Sequence, residues 1–360
     1  MNRITVKVIV LWLLTFTVLL YACTARKTRD FATTPTDEFS GNGHFAVEVL
    51  AFPDLVDPKR EGRKVPIKVH FPRDDQGPFP VIVVSHGAGG NWDTHYAQAH
   101  HLASHGYIVL CVEHVGSNTK RMKSSLRWIK NLHDMVRDPK EVFGRPRDIS
   151  FAIDQAEKWN RSHPRLQGRL DMSHIGMFGH SFGAYTTLVV SGARPALDWL
   201  EPSVEPGKGL GPDLRDPRVT CSVALSPQSP GGPFFYKESF GYLRIPIMGV
   251  SGTKDKDLSG DRPPQSRYQA FSLWPANNGA NKYVWLNNAS HLDFADGRGS
   301  GRGEFHSSNR EDVQPLVRAA TLFFFNEHLK NDDTADEKLT SQGLQLYLSG
   351  NMDGVEVRAK

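Results

Sequence analysis

The sequence predicts an α/β fold built on one mostly parallel, doubly wound sheet of eight strands. Three observations lead there. Six continuous apolar runs rich in β-branched residues, at 80–87, 107–114, 174–181, 219–226, 245–252 and 282–288, read as strands covered on both faces. Helical patterns separate or follow them at 92–105, 147–161, 182–192, 265–274 and 312–329. Two alternating apolar–polar segments, 45–50 and 65–71, come first and read as antiparallel strands with one face in water.

In chain order, residues 1–7 carry Arg3 and Lys7 and no acid, and residues 8–22 are an uncharged apolar run. That is the charge and length pattern of a signal peptide, short of the ~20 apolar residues a membrane span needs. Cys23 follows Leu20-Tyr21-Ala22. This resembles the bacterial lipobox, which makes Cys23 the expected lipidation site and membrane tether. A cleaved secretory peptide and an uncleaved helical anchor are the alternatives. All three place the body outside the cytoplasm, as a membrane-anchored lipoprotein or as a periplasmic or secreted protein. Residues 23–43 are rich in Thr, Asp and Gly and read as a flexible tether. The folded domain is expected over 44–330, with a Pro-rich insertion at 194–218, and 331–360 form a polar C-terminal extension.

Composition narrows the class. The 43 basic and 39 acidic side chains leave a net charge of +4, or +2 without residues 1–22, which gives no argument for nucleic acid. Three cysteines exclude a disulfide-framed scaffold and a multi-cysteine zinc module. Cys111 and Cys221 lie in apolar runs and read as buried free thiols. His101 and His105 have i, i+4 spacing without the glutamate of H-E-x-x-H, so they read as a histidine-rich helix surface. No metal and no cofactor are expected.

The sharpest local signal is Gly179-His180-Ser181-Phe182-Gly183, between a strand pattern and a helix pattern. A sharp strand-to-helix turn of this kind exposes the serine oxygen. It requires small residues two before and two after the serine, where strand and helix pass close together.

With Ser85-His86-Gly87-Ala88-Gly89-Gly90 and the continuation of the first motif to Thr186, the chain resembles the α/β-hydrolase superfamily over about 44–330. Within it the two motifs look like the platelet-activating-factor acetylhydrolase and predicted dienelactone hydrolase group of serine esterases, and cutinase-type polyester hydrolases share the plan. The resemblance implies hydrolysis of a small-molecule or lipid-like carboxylic ester by a Ser-His-Asp triad through an acyl-enzyme, with no cofactor. Two departures stand out. Classical dienelactone hydrolases use a cysteine nucleophile where this chain has Ser181. The eukaryotic acetylhydrolases place the acid just after the strand that follows the nucleophile helix; here that stretch is Ala224-Leu225-Ser226-Pro227-Gln228, without a carboxylate.

The remaining roles follow in the chain order of this fold, serine, acid, histidine. Three histidines follow Ser181: His291, His306 and His328. His291 stands directly after the last strand pattern, in the loop that delivers the base. The acid is expected after the strand 245–252, where the G-x-x-D pattern of the resemblance selects Asp255, with Asp257 as the alternative. The oxyanion hole would use the backbone N–H of Phe182 and, from the H-G-x-G turn, that of Ala88. Competing readings are the same chemistry on peptide, thioester or lactone bonds, and a catalytically silent, surface-tethered binding protein.

Overall fold

The computed structural model describes residues 38–74, 76–200, 209–231, 234–256, 262–296 and 309–360. The signal segment 1–22, Cys23, most of the tether, Asp257 and His306 lie outside the described residues. No described helix is long and apolar enough to cross a membrane.

The chain forms β1 (Val47–Phe52), β2 (Val56–Asp57), β3 (Arg63–Lys64), β4 (Ile67–Pro72), β5 (Phe79–Ser85), β6 (Ile108–Val112), β7 (Leu170–His180), β8 (Val219–Leu225), β9 (Ile247–Lys254), β10 (Lys282–Ser290) and β11 (Val355–Ala359). Nine of these make one sheet in the order β1-β4-β6-β5-β7-β8-β9-β10-β11. The pairs from β6 through β10 are parallel; β1–β4, β4–β6 and β10–β11 are antiparallel. This is a doubly wound sheet of the α/β-hydrolase fold type. The described helices are α1 (Tyr96–Ser104), α2 (Thr119–Met122), α3 (Trp128–Arg137), α4 (Pro139–Ser162), α5 (Phe182–Val190), α6 (Gln265–Leu273), α7 (Arg310–Lys330), α8 (Asp333–Lys338) and α9 (Ser341–Gln345).

Side-chain alternation sends successive residues of the central strands to the two faces of the sheet, where three apolar clusters form among the described residues. On β5, Ile82 and Val84 face a layer formed by Ala99 and Leu102 of α1 and Val317 and Phe324 of α7. Val81 and Val83 face the other, formed by Ile149 and Ile153 of α4. Cys111 and Cys221 are buried free thiols within the first core.

The expectation of eight strands is one short. The ninth, β11, comes from the segment read as a polar extension and pairs with β10 at the sheet edge. Its sequence, Val-Glu-Val-Arg-Ala, carries the weak alternating pattern of a strand with one face in water. Ala335, Leu339, Leu344, Tyr347 and Met352 of the same segment are buried in the first core. At the other end, residues 38–43 of the expected tether belong to the compact unit that begins at Glu38. Phe39 packs 5.1 Å from the Phe323 ring, centroid to centroid. His101, read as a surface residue, is buried, and its Nε2 donates to the Phe39 carbonyl at 2.9 Å. His105 does the same for Gly41 at 3.0 Å. The pair fastens this segment to α1, and among the described residues no cluster of three or more metal-ligating side chains forms.

The strand order reverses beside β5: β6 lies on one side of it and β7 on the other. The loops leaving their carboxyl ends diverge there, and that point is the usual ligand position in such sheets. The loop after β5 holds Ala88, and the turn after β7 holds Ser181.

Candidate active site

Ser181 sits between β7 and α5 with φ 57° and ψ −119°. A non-glycine residue in this region stores strain, and such strain concentrates at functional turns. The two flanking glycines explain how the turn closes. A Cβ on Gly179 would meet the Gly183 carbonyl oxygen at 2.3 Å, and one on Gly183 would meet the Ser85 carbonyl oxygen at 2.0 Å. Both obstacles are backbone, which cannot swing aside. Gly183→Ala is therefore expected to destabilise the fold by about 3 kcal/mol, read from the urea midpoint, and to remove activity. A variant within ~0.5 kcal/mol of wild type would contradict this close crossing.

The structure brings Ser181, His291 and Asp255 into one hydrogen-bonded chain. Ser181 Oγ lies 2.9 Å from His291 Nε2. His291 Nδ1 lies 2.8 Å from Asp255 Oδ1. The bulged end of β10 and the 3-10 turn His291–Phe294 deliver the imidazole. That turn is fixed by a capping box in which Asp293 accepts from the backbone N–H and the hydroxyl of Ser290. His328 is on α7, and the imidazole at Ser181 belongs to His291.

Asp255 is fully buried. Its Oδ2 accepts from Ser251 Oγ at 2.8 Å, and its Oδ1 lies 3.1 Å from Arg267 Nε. Burial opposes the carboxylate charge, but the Arg267 cation and the His291 hydrogen bond outweigh it and hold the carboxyl well below the usual aspartate range. Folding therefore favours the ionised form. The stability it contributes is complete above the ordinary aspartate value of about 3.9 and is lost as pH falls below that toward the folded value.

The loop after β5 lies against the serine turn: a Cβ on Gly87 would sit 3.4 Å from the Cβ of Ser181. Among the described residues no acceptor takes the N–H of Ala88 or of Phe182. These two N–H groups flank the turn that holds the half-buried Ser181. Within the loop, His86 Nδ1 donates to the Gly87 carbonyl at 2.7 Å, and its Nε2 accepts from the His114 N–H at 3.1 Å. Burial holds this imidazole well below its ordinary pKa, so it is a neutral brace of the turn.

Several supporting side chains had no sequence signal. His180 is buried and kept neutral by desolvation, and its Nε2 donates to the backbone carbonyl of His291 at 3.0 Å. Gln228 occupies the stretch after β8 where the resemblance places an acid; its amide donates to the Ser181 carbonyl at 2.7 Å. Arg267 ties the loop that holds Asp255 to the carbonyls of Ser226 and Pro227, each at 3.0 Å. Each acts over a long sequence separation, so no local motif announces it. The site as a whole is a serine hydroxyl hydrogen-bonded to an imidazole that a buried carboxylate orients, beside the backbone N–H groups of Ala88 and Phe182. That set can carry out acyl transfer.

The family model for platelet-activating factor acetylhydrolase, isoform II, matches residues 16–125, which include the loop after β5 but not Ser181. The platelet-activating factor acetylhydrolase of Cavia porcellus is 29% identical over 307 residues, covering 76% of this chain. The match spans 63% of that relative's length.

Proposed function

We propose that this α/β-hydrolase, similar to the platelet-activating factor acetylhydrolases, is a serine esterase that cleaves carboxylic esters through an acyl-enzyme. The observation that carries this reading is the unbroken chain from Ser181 Oγ through His291 to the buried Asp255, at 2.9 and 2.8 Å. A serine hydroxyl becomes a competent nucleophile when an adjacent base takes its proton. His291 Nε2 is that base. Asp255 fixes the tautomer with Nδ1 protonated and stabilises the imidazolium that forms. The Ala88 and Phe182 N–H groups receive the oxyanion of the tetrahedral intermediate. His291 then protonates the leaving alcohol and activates the water that releases the acid. Asp255 is the triad acid; its hydrogen bond to His291 favours it over Asp257.

The relative's name describes removal of an acetyl group, and this supports a short acyl ester of a small or lipid-like alcohol as substrate. We read residues 1–22 as an export signal and Cys23 as a lipid attachment point, supported by the charge and hydropathy pattern alone. The test of the chemistry is a panel of p-nitrophenyl esters of increasing chain length, run beside a thioester, a lactone and a peptide amide at equal enzyme concentration. Fastest turnover is expected on the short esters. Preference for the amide or lactone by tenfold or more in kcat/KM would overturn the ester reading in favour of the same machinery on another bond.

A further inference from the structure

We propose that Arg145, a residue that never touches substrate, is the positioning residue of the oxyanion site, joining from below the two segments that present its N–H groups. The inference rests on the esterase reading above and assigns a role to a cation outside its catalytic set.

Arg145 lies in the middle of α4 and is completely buried. Its guanidinium is divided between two chain segments. Toward the loop after β5, one terminal nitrogen donates to the His86 carbonyl and, at 3.0 Å, to Ser85 Oγ. Toward the nucleophile helix, Nε donates to Thr186 Oγ1 at 3.0 Å, and the guanidinium lies 4.4 Å from the centroid of the Phe182 ring. The first segment leads into Ala88 and the second begins with Phe182, so one planar cation spans both donors of the proposed oxyanion site. Its remaining terminal nitrogen donates to Ser117 Oγ at 2.8 Å, and the Ser117 carbonyl accepts the Gly89 N–H at 2.9 Å. The far end of the same loop is thus held as well. Thr186 Oγ1 passes the constraint on by donating to the Phe182 carbonyl at 3.0 Å.

The surroundings suit positioning rather than reaction. Ser85, His114 and Asp148 repeat a Ser–His–Asp chain, with contacts of 2.9 and 2.8 Å. All three are fully buried and closed to substrate. This second chain is scaffold: it holds Ser85 Oγ where Arg145 reaches it, while Glu141 and Asp148 balance the charge. Five donors in a rigid plane can fix several acceptors at once, which a lysine ammonium cannot reproduce. Displacing an oxyanion donor by a fraction of an ångström removes stabilisation that exists only in the transition state.

Arg145→Lys keeps the charge and loses the planar fork. It is expected to lower kcat on a short ester by about 10- to 100-fold with KM within about twofold, and to weaken a boronic acid that forms a tetrahedral adduct on Ser181 by a similar factor. Thr186→Val and Ser117→Ala each remove a hydroxyl that accepts from Arg145 and donates onward, to the Phe182 carbonyl and to Glu141 respectively. Both are expected to fold and to show the same split, with kcat down by about 2- to 10-fold. These two carry the test if Arg145→Lys does not fold. A purely structural cation would change the melting temperature and leave kcat and boronate affinity of the folded fraction untouched. That result, or a loss confined to KM, overturns the proposal. Wild-type protein that neither hydrolyses esters nor binds the boronate overturns the esterase reading and this one with it. An active wild type with unaltered variants removes only the role of Arg145.

Discussion

Ser181→Ala is expected to lower kcat/KM for short p-nitrophenyl esters by about 10⁵- to 10⁶-fold while the folded structure persists. The alanine keeps the Cβ, so the backbone strain at φ 57° is unchanged. The neighbouring glycines still admit the crossing of β7 and α5. Among the described residues the interaction lost is the contact of Ser181 Oγ with His291, and a single hydrogen bond of this kind contributes about 1 kcal/mol. The melting temperature should therefore stay close to wild type while turnover disappears. Retained esterase activity in this variant would mean that another group attacks the carbonyl.

The second large effect is expected at the acid. Asp255→Asn preserves the size and shape of the side chain but removes its charge. If the amide oxygen keeps the Oδ1 position, it still accepts from His291, and Ser251 Oγ turns to accept from the amide nitrogen. The imidazolium that forms during reaction is then left without a compensating charge. If the amide is reversed, its nitrogen meets Arg267 Nε and His291 takes the wrong tautomer. Both outcomes lower kcat, by about 10³- to 10⁴-fold, with little change in KM. Arg267 also loses the carboxylate beside it, and removing one partner of a buried pair costs about 3 kcal/mol. Steady-state kinetics with a urea titration would separate the two losses. Wild-type kcat in the folded variant would transfer the acid role to another residue.

What could be read in advance depended on how locally each feature is encoded. The central strands were legible because burial on both faces leaves continuous apolar runs, as in Val81–Val84. The serine turn was legible because its geometry demands glycine at two fixed offsets. That His291 and Asp255 would meet Ser181 was legible because both directly follow particular strands of this fold. β11 was not, since an edge strand with a solvated face needs only the alternation of Val355, Val357 and Ala359 among charged residues. The role of His101 was also missed: i, i+4 spacing says that two histidines share a helix face, not that residues 38–43 cover it. Arg145, His180, Gln228 and Arg267 share one reason for being missed. Their partners lie 12 to 111 residues away in sequence, on other elements of the fold, and only the folded sheet brings them together.

The most direct measurement is covalent labelling with a fluorophosphonate probe, followed by mass spectrometry of the digested protein. The expected result is one adduct per chain, on Ser181, absent from Ser181→Ala and strongly slowed in Asp255→Asn. No adduct on folded wild-type protein, or an adduct that persists in Ser181→Ala, would contradict an activated serine at this turn.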